Sequence, residues 1–134
     1  MATRTTVRGP AAGPTSTGAV LVVEDDPGLT ELVTDVLTDA GYAVTASGTA
    51  LGAVALVRRV RPCAVVLDLG LPYRSGVALL EELKADPATA AVPVVVVSGL
   101  IELLSPERAA LAAAVLQKPF EYCELLDAVR AASA

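Results

Sequence analysis

Histidine is absent from this 134-residue chain, aromatic residues make up 3% of it, and there are only two lysines and two cysteines. Without histidine, any resident metal must be held by oxygen ligands. The scarcity of aromatics, with no phosphate-binding loop after the first apolar run, argues against a flavin site. The cysteines, Cys63 in a predicted core strand and Cys123 on a predicted terminal helix, make neither a metal spacing nor a disulfide framework, which points to a reducing, cytoplasmic compartment. A formal net charge of −5 and arginines that form no basic stripe argue against nucleic acid as a direct partner. Although 54% of residues are hydrophobic, no stretch approaches the roughly 18 apolar residues that span a bilayer, so a soluble protein without membrane contact is expected. The opening Met1 to Gly18 is rich in Thr, Ala, Gly and Pro and reads as a disordered tail. Residues 19–134 are then expected to form a single domain.

What is present is a set of short apolar runs that end in functional groups. Cys63-Ala-Val-Val-Leu leads into Asp68-Leu-Gly-Leu-Pro72, and Ala19-Val-Leu-Val-Val23 leads into Glu24-Asp25-Asp26. Continuous rather than alternating apolar runs indicate strands buried on both faces, as in parallel sheets. Val92 to Val97 is a third such run, followed by Ser98; Tyr42 to Ala46 and Val115 to Gln117 are shorter strands, the last followed by Lys118-Pro119.

Between the strands lie helical patterns. Leu29, Leu32, Val33, Val36 and Leu37 form the stripe of a helix packed on a sheet, which Gly41 ends as a C-cap. Ala53, Leu56, Val57 and Val60 mark a second helix, stopped at Arg61-Pro62, and Gly76 to Lys84 a third, broken at Asp86-Pro87. Ser105-Pro106-Glu107 is a strong helix start leading into the alanine-rich stretch to Ala114, and Tyr122, Leu125, Leu126 and Val129 share one face of a final helix. Asp26 before Pro27 reads as a helix N-cap with proline at the first helical position, not as a ligand.

Five strands alternating with five helices predict an α/β, doubly wound (βα)5 domain with a parallel five-stranded sheet in the flavodoxin-like order 2-1-3-4-5. In such sheets ligands bind beyond the carboxyl ends of the strands. The order puts strands 1 and 3 side by side, so Glu24, Asp25 and Asp68 would converge at one edge, and strands 4 and 5 would bring Ser98 and Lys118 to the same rim.

These residues in this order resemble the receiver domain of two-component response regulators, of the chemotaxis-regulator-like superfamily. The resemblance covers nearly everything from Ala19 to Ala131. It is carried by Val-Val-Glu24-Asp25-Asp26-Pro, by Val-Val-Leu-Asp68-Leu-Gly-Leu-Pro72 with Gly76, by Val-Val-Ser98-Gly, and by Lys118-Pro119-Phe120. It implies a phosphoacceptor signalling domain and not an enzyme, apart from loss of its own phosphoryl group. Asp68 would take that group from a phosphohistidine of a sensor kinase or phosphotransfer protein. Mg2+ would be held by Asp25, Asp68 and the Gly70 carbonyl, with Glu24 acting directly or through a bound water. Lys118 would pair with Asp68 and then with the phosphoryl group, and Ser98 would supply the switching hydroxyl. The Lys118–Pro119 bond is often cis in the family. The expected partners are the kinase, a downstream effector or fused output domain, and a second copy through helix 4, strand 5 and helix 5.

Three features depart from the family's pattern. Val115 stands where many receivers carry an aromatic residue, the interval from Ser98 to Lys118 is short, and Ala112 to Ala114 replaces the usual Gly-Ala turn, so helix 4 is expected to be short or shifted. Leu100, Ile101, Leu103 and Leu104 read equally as core or as an exposed patch for a partner. Two other readings fit parts of the pattern. One is a pseudo-receiver that binds protein without phosphorylation, favoured by Val115. The other is an aspartyl-nucleophile phosphatase of the haloacid dehalogenase type, for which Asp68-Leu-Gly70 lacks the second acid.

Overall fold

The computed structural model describes residues 18–71, 75–99 and 104–134. The expectations for the tail up to residue 17, for Pro72, and for Leu100, Ile101 and Leu103 lie outside the described residues. The elements run β1 (Ala19–Val23), α1 (Pro27–Asp39), β2 (Ala43–Ser47), α2 (Ala53–Val60), β3 (Ala64–Asp68), α3 (Gly76–Ala85), β4 (Val94–Ser98), α4 (Pro106–Ala109), β5 (Ala114–Gln117) and α5 (Tyr122–Ser133). All strand pairs are parallel, and the order is β2-β1-β3-β4-β5, the one expected.

The continuous apolar runs follow from having helices on both faces of the sheet. Successive side chains of a strand point to opposite sides. Thus Leu21, Val23, Val65, Leu67, Val94 and Val96 pack with α2 and α3, while Val20, Val22, Val66, Val95 and Val97 pack with α1 and α5. No strand position facing either layer can be polar without losing that burial. The first polar residue of each long run therefore marks the place where the strand leaves the core. α1 starts as its sequence requires: Asp26 Oδ1 accepts from the N–H groups of Gly28 at 3.0 Å and Leu29 at 3.4 Å. It ends at a C-cap on Ala40, and the left-handed residue is the next one, Gly41, with φ 103°.

Four expectations need correction. Cys63 stands just before β3, half-buried, with its N–H donating to Ala19 O at 2.7 Å. Tyr42 precedes β2 and is buried, its hydroxyl 3.4 Å from Ser133 Oγ, while Tyr122 is exposed rather than on the inner face of α5. Val92 and Pro93 lead into β4 without joining it.

α4 is short, as the short interval from Ser98 to Lys118 leads one to expect, and the alanine-rich stretch does not extend it. Ser105 caps it by accepting from Arg108 N at 3.2 Å, yet the helix stops at Ala109 instead of continuing towards Ala114. Its last turn tightens, with Leu111 N on Arg108 O at 3.0 Å and Ala112 N on Ala109 O at 3.1 Å, and Ala113 N then reaches Val94 O at 2.8 Å. Pairing with β4 takes these alanines out of the helix: the interval before Lys118 is too short for both a long helix and a return to the sheet. Tertiary pairing overrides helix propensity here.

Candidate functional site

The strand ends place the site. Register aligns Val23 with Leu67, Asp68 with Val97, and Ser98 with Gln117, so Glu24, Asp68, Ser98 and Lys118 stand along one edge of the sheet. Glu24 is 4% exposed, Asp68 5% and Ser98 1%, whereas Asp25 is open to solvent. Among the described residues, Glu24, Asp25 and Asp68 form a group in which one carboxylate oxygen from each lies within 4.8 Å of the others. Two of these three acids are buried, an arrangement that needs compensating charge.

Lys118 supplies part of it. Its Nζ lies 3.1 Å from Glu24 Oε1 and 3.5 Å from Asp68 Oδ1, bridging the two buried acids. The expected pairing with Asp68 is present, but the shorter contact is to Glu24. Backbone donors complete the set, with Asp26 N on Glu24 Oε2 at 3.2 Å and Gly70 N on Asp68 Oδ1 at 3.3 Å. Gly70 itself is exposed at the rim. Ser98 is tied in through its backbone: its carbonyl accepts from Lys118 N at 3.0 Å. The Lys118–Pro119 bond is cis.

The electrostatics follow from burial. Burial pushes the Glu24 carboxyl above its ordinary value of 4.5, and the charge of Asp68 adds to this, while the hydrogen bonds from Lys118 and Asp26 N oppose it. For Lys118 burial alone would lower the ammonium's pKa, but the hydrogen bond and charge of Glu24, with those of Asp68, outweigh it and hold the group above its ordinary 10.5. Lys118 is thus a fixed cation. The remaining negative charge faces solvent through Asp25. Three carboxylates with oxygen-only donors suit a hard divalent cation such as Mg2+, and the absence of histidine and thiolate there disfavours softer metals.

A family model described as the response regulator receiver domain matches residues 20–130. The chain belongs to this family. The DNA-binding response regulator MtrA of Mycolicibacterium smegmatis is 35% identical to this receiver over 114 residues, covering 84% of this chain and 49% of that protein. The chain spans about half the length of the curated relatives it matches. A CheY-like receiver domain from Methylobacillus flagellatus superposes with a TM-score of 0.77 at 28% identity, covering 85% of this chain and 97% of that one. The receiver domain of a sensor histidine kinase from Pseudomonas aeruginosa, solved with a magnesium ion coordinated in its active-site cleft, gives a TM-score of 0.77 at 27% identity over 87% of this chain and 97% of that one.

Two residues touch the site's backbone in ways the sequence does not show, Gly76 of the Asp68 motif and Thr30. Gly76, at the start of α3, lies against the Asp68 backbone: a Cβ there would meet Asp68 O at 2.2 Å. Thr30 of α1 donates its hydroxyl to Glu24 O at 3.2 Å. Gly76 belongs to a motif and Thr30 is an ordinary helix residue, and for both only the fold shows what they touch.

Proposed function

We propose that this receiver accepts a phosphoryl group on Asp68 from a partner phosphohistidine, with Mg2+ held by Asp25, Asp68 and the Gly70 carbonyl and with Glu24 contributing directly or through water. The observation that carries the reading is the convergence of three carboxylates within 4.8 Å together with a lysine bridging two of them. When bound, the cation supplies charge neutralisation and an anchor for phosphoryl oxygens. The chain's own residues do the rest. An Asp68 oxygen forms the P–O bond as the P–N bond to the donor imidazole breaks, and the bonding pair leaves with the imidazole nitrogen. Positioning dominates such a transfer, so no general base is needed. Lys118, already 3.5 Å from Asp68, balances charge on the product, and Ser98 supplies the hydroxyl whose bond to the phosphoryl group forms only in the modified state.

The donor must cover the edge that carries Asp68. An apolar groove of about 510 Å3 starts at Asp26 and Lys118 and runs between α1 and α5 past Leu29, Leu32 and Leu125. Its continuity with the site fits a helix of the partner kinase or phosphotransfer protein. Downstream, the reading calls for an effector protein or a fused output module, with no direct nucleic-acid contact by this acidic domain. A homodimer through α4, β5 and α5 would rest mainly on the last two, since α4 has four residues. Among the described residues no helix is long and apolar enough to cross a membrane, which fits a cytoplasmic relay.

The test is incubation with acetyl phosphate, with and without Mg2+, read by intact mass beside Asp68→Ala. A single phosphoryl adduct that needs Mg2+ and vanishes in the variant is the expected outcome. Absence of any adduct in the parent chain would favour a module that works without phosphorylation.

A further inference from the structure

The chain leaves β1 through Glu24, whose N–H makes a last ladder bond to Ser47 O at 3.0 Å. It then turns through Asp25 and Asp26 into α1. Two bonds from the first turns of α1 reach back to Glu24. Asp26, fixed by its own capping bonds, points its N–H at Glu24 Oε2 at 3.2 Å. Thr30 donates its hydroxyl to Glu24 O, six residues earlier, at 3.2 Å.

A threonine inside a helix usually returns its hydroxyl to a carbonyl three or four residues back in the same helix. Here the carbonyl four residues back, that of Asp26, takes the Thr30 N–H at 2.9 Å, and the hydroxyl leaves the helix for the strand end. The carbonyl it holds belongs to the Glu24–Asp25 peptide. That peptide is a rigid plane. One hydrogen bond to its oxygen therefore restricts its rotation, and the Cα atoms of Glu24 and Asp25 lie at its two ends. Holding the plane restricts the backbone from which two of the three carboxylates in the cluster project.

We propose that α1 clamps the Glu24–Asp25 peptide and that Thr30 is a positioning residue for the cation site. The inference rests on the reading of that cluster as a Mg2+ site. Thr30 touches neither the cation nor the phosphoryl group; it acts through the acids that do. β-branching leaves its hydroxyl few rotamers, so the bond costs little side-chain entropy to maintain.

The test uses the full chain with Thr30→Val, which keeps the shape and removes the hydroxyl, and Thr30→Ser, which keeps the hydroxyl. Mg2+ affinity is measured by calorimetric titration, and stability by urea unfolding in EDTA. Partners that orient metal ligands typically cost tenfold or more in affinity when removed, so Thr30→Val is expected to weaken Mg2+ binding about tenfold and Thr30→Ser less than about threefold. A purely structural threonine gives a different pattern: Thr30→Val loses stability in EDTA while the folded variant binds Mg2+ as the parent does. That outcome overturns the clamp alone. A parent chain that binds no Mg2+ overturns the clamp together with the functional reading it rests on. Should Thr30→Val not fold, Thr30→Ala, with the better helix-forming side chain, is judged by the same affinities.

Discussion

Gly76 shows how one residue sets the approach of a helix to Asp68. Its N–H donates to Leu69 O at 2.9 Å, and a Cβ built on it would stand 2.2 Å from Asp68 O and 2.6 Å from Leu69 Cα. Both contacts are backbone, so no side-chain rotation relieves them. Gly76→Ala must move α3 away from the end of β3 or move Asp68. The expected cost is about 2–3 kcal/mol in urea unfolding, at the upper end for overpacking, with a slower rate of labelling by acetyl phosphate. A loss of stability with an unchanged rate would mean that α3 alone yields. Asp26 makes the opposite case, since its role as N-cap follows from Asp-Pro spacing alone and is what the structure shows.

At the scale of elements, α1 and α5 leave an apolar groove between them that begins beside the acidic site. Leu32, on its wall, is 40% exposed, and Tyr122, at the start of α5, is 52% exposed. If the donor helix lies there, Leu32→Asp separates docking from chemistry. Transfer from a histidine kinase active on the parent chain should fall at least about tenfold, because an unpaired charge is placed under an apolar contact. Labelling by acetyl phosphate, which needs no docking, should be unchanged, and stability should stay within about 0.5 kcal/mol, as for most surface changes. Equal loss with both donors would place the effect at the site instead of the groove. The one-turn α4 also belongs to this scale. Arg108 Nε holds it to Glu81 Oε2 of α3 at 2.8 Å, through two exposed side chains whose pairing adds little stability.

For the whole molecule the governing feature is negative charge held together at one edge. Glu24 and Asp68 lose hydration on folding, and Lys118 bridges them, while Asp25 makes no ion pair among the described residues. Binding of a divalent cation to the folded state alone should therefore raise stability by mass action. At a concentration 100 times the dissociation constant this amounts to about 2.7 kcal/mol, or a rise in Tm of roughly 8–10 °C for a domain of this size. Thermal unfolding with Mg2+ and with EDTA measures it. Asp25→Asn should remove most of the rise, and a rise that persists in this variant would mean that the ion binds elsewhere.

Much of this was legible in the chain itself, for a physical reason. A parallel sheet covered on both sides requires unbroken apolar strands, so Val20 to Val23, Ala64 to Leu67 and Val94 to Val97 declare themselves. The polar residues that end them, Glu24, Asp68 and Ser98, then fall where such a fold exposes its strand ends. Chain order and crossover handedness left few strand orders, and the expected one is what brings these ends together. What only the tertiary structure decided were contacts across elements. The shorter bond of Lys118 to Glu24, the seating of Gly76 on the Asp68 backbone, the reach of Thr30 to the β1 end and the bond of Ala113 N to Val94 O that follows the short α4 all arise from long-range packing and pairing. Local periodicity carries no record of such contacts, because the energies that set them belong to residues far apart in sequence.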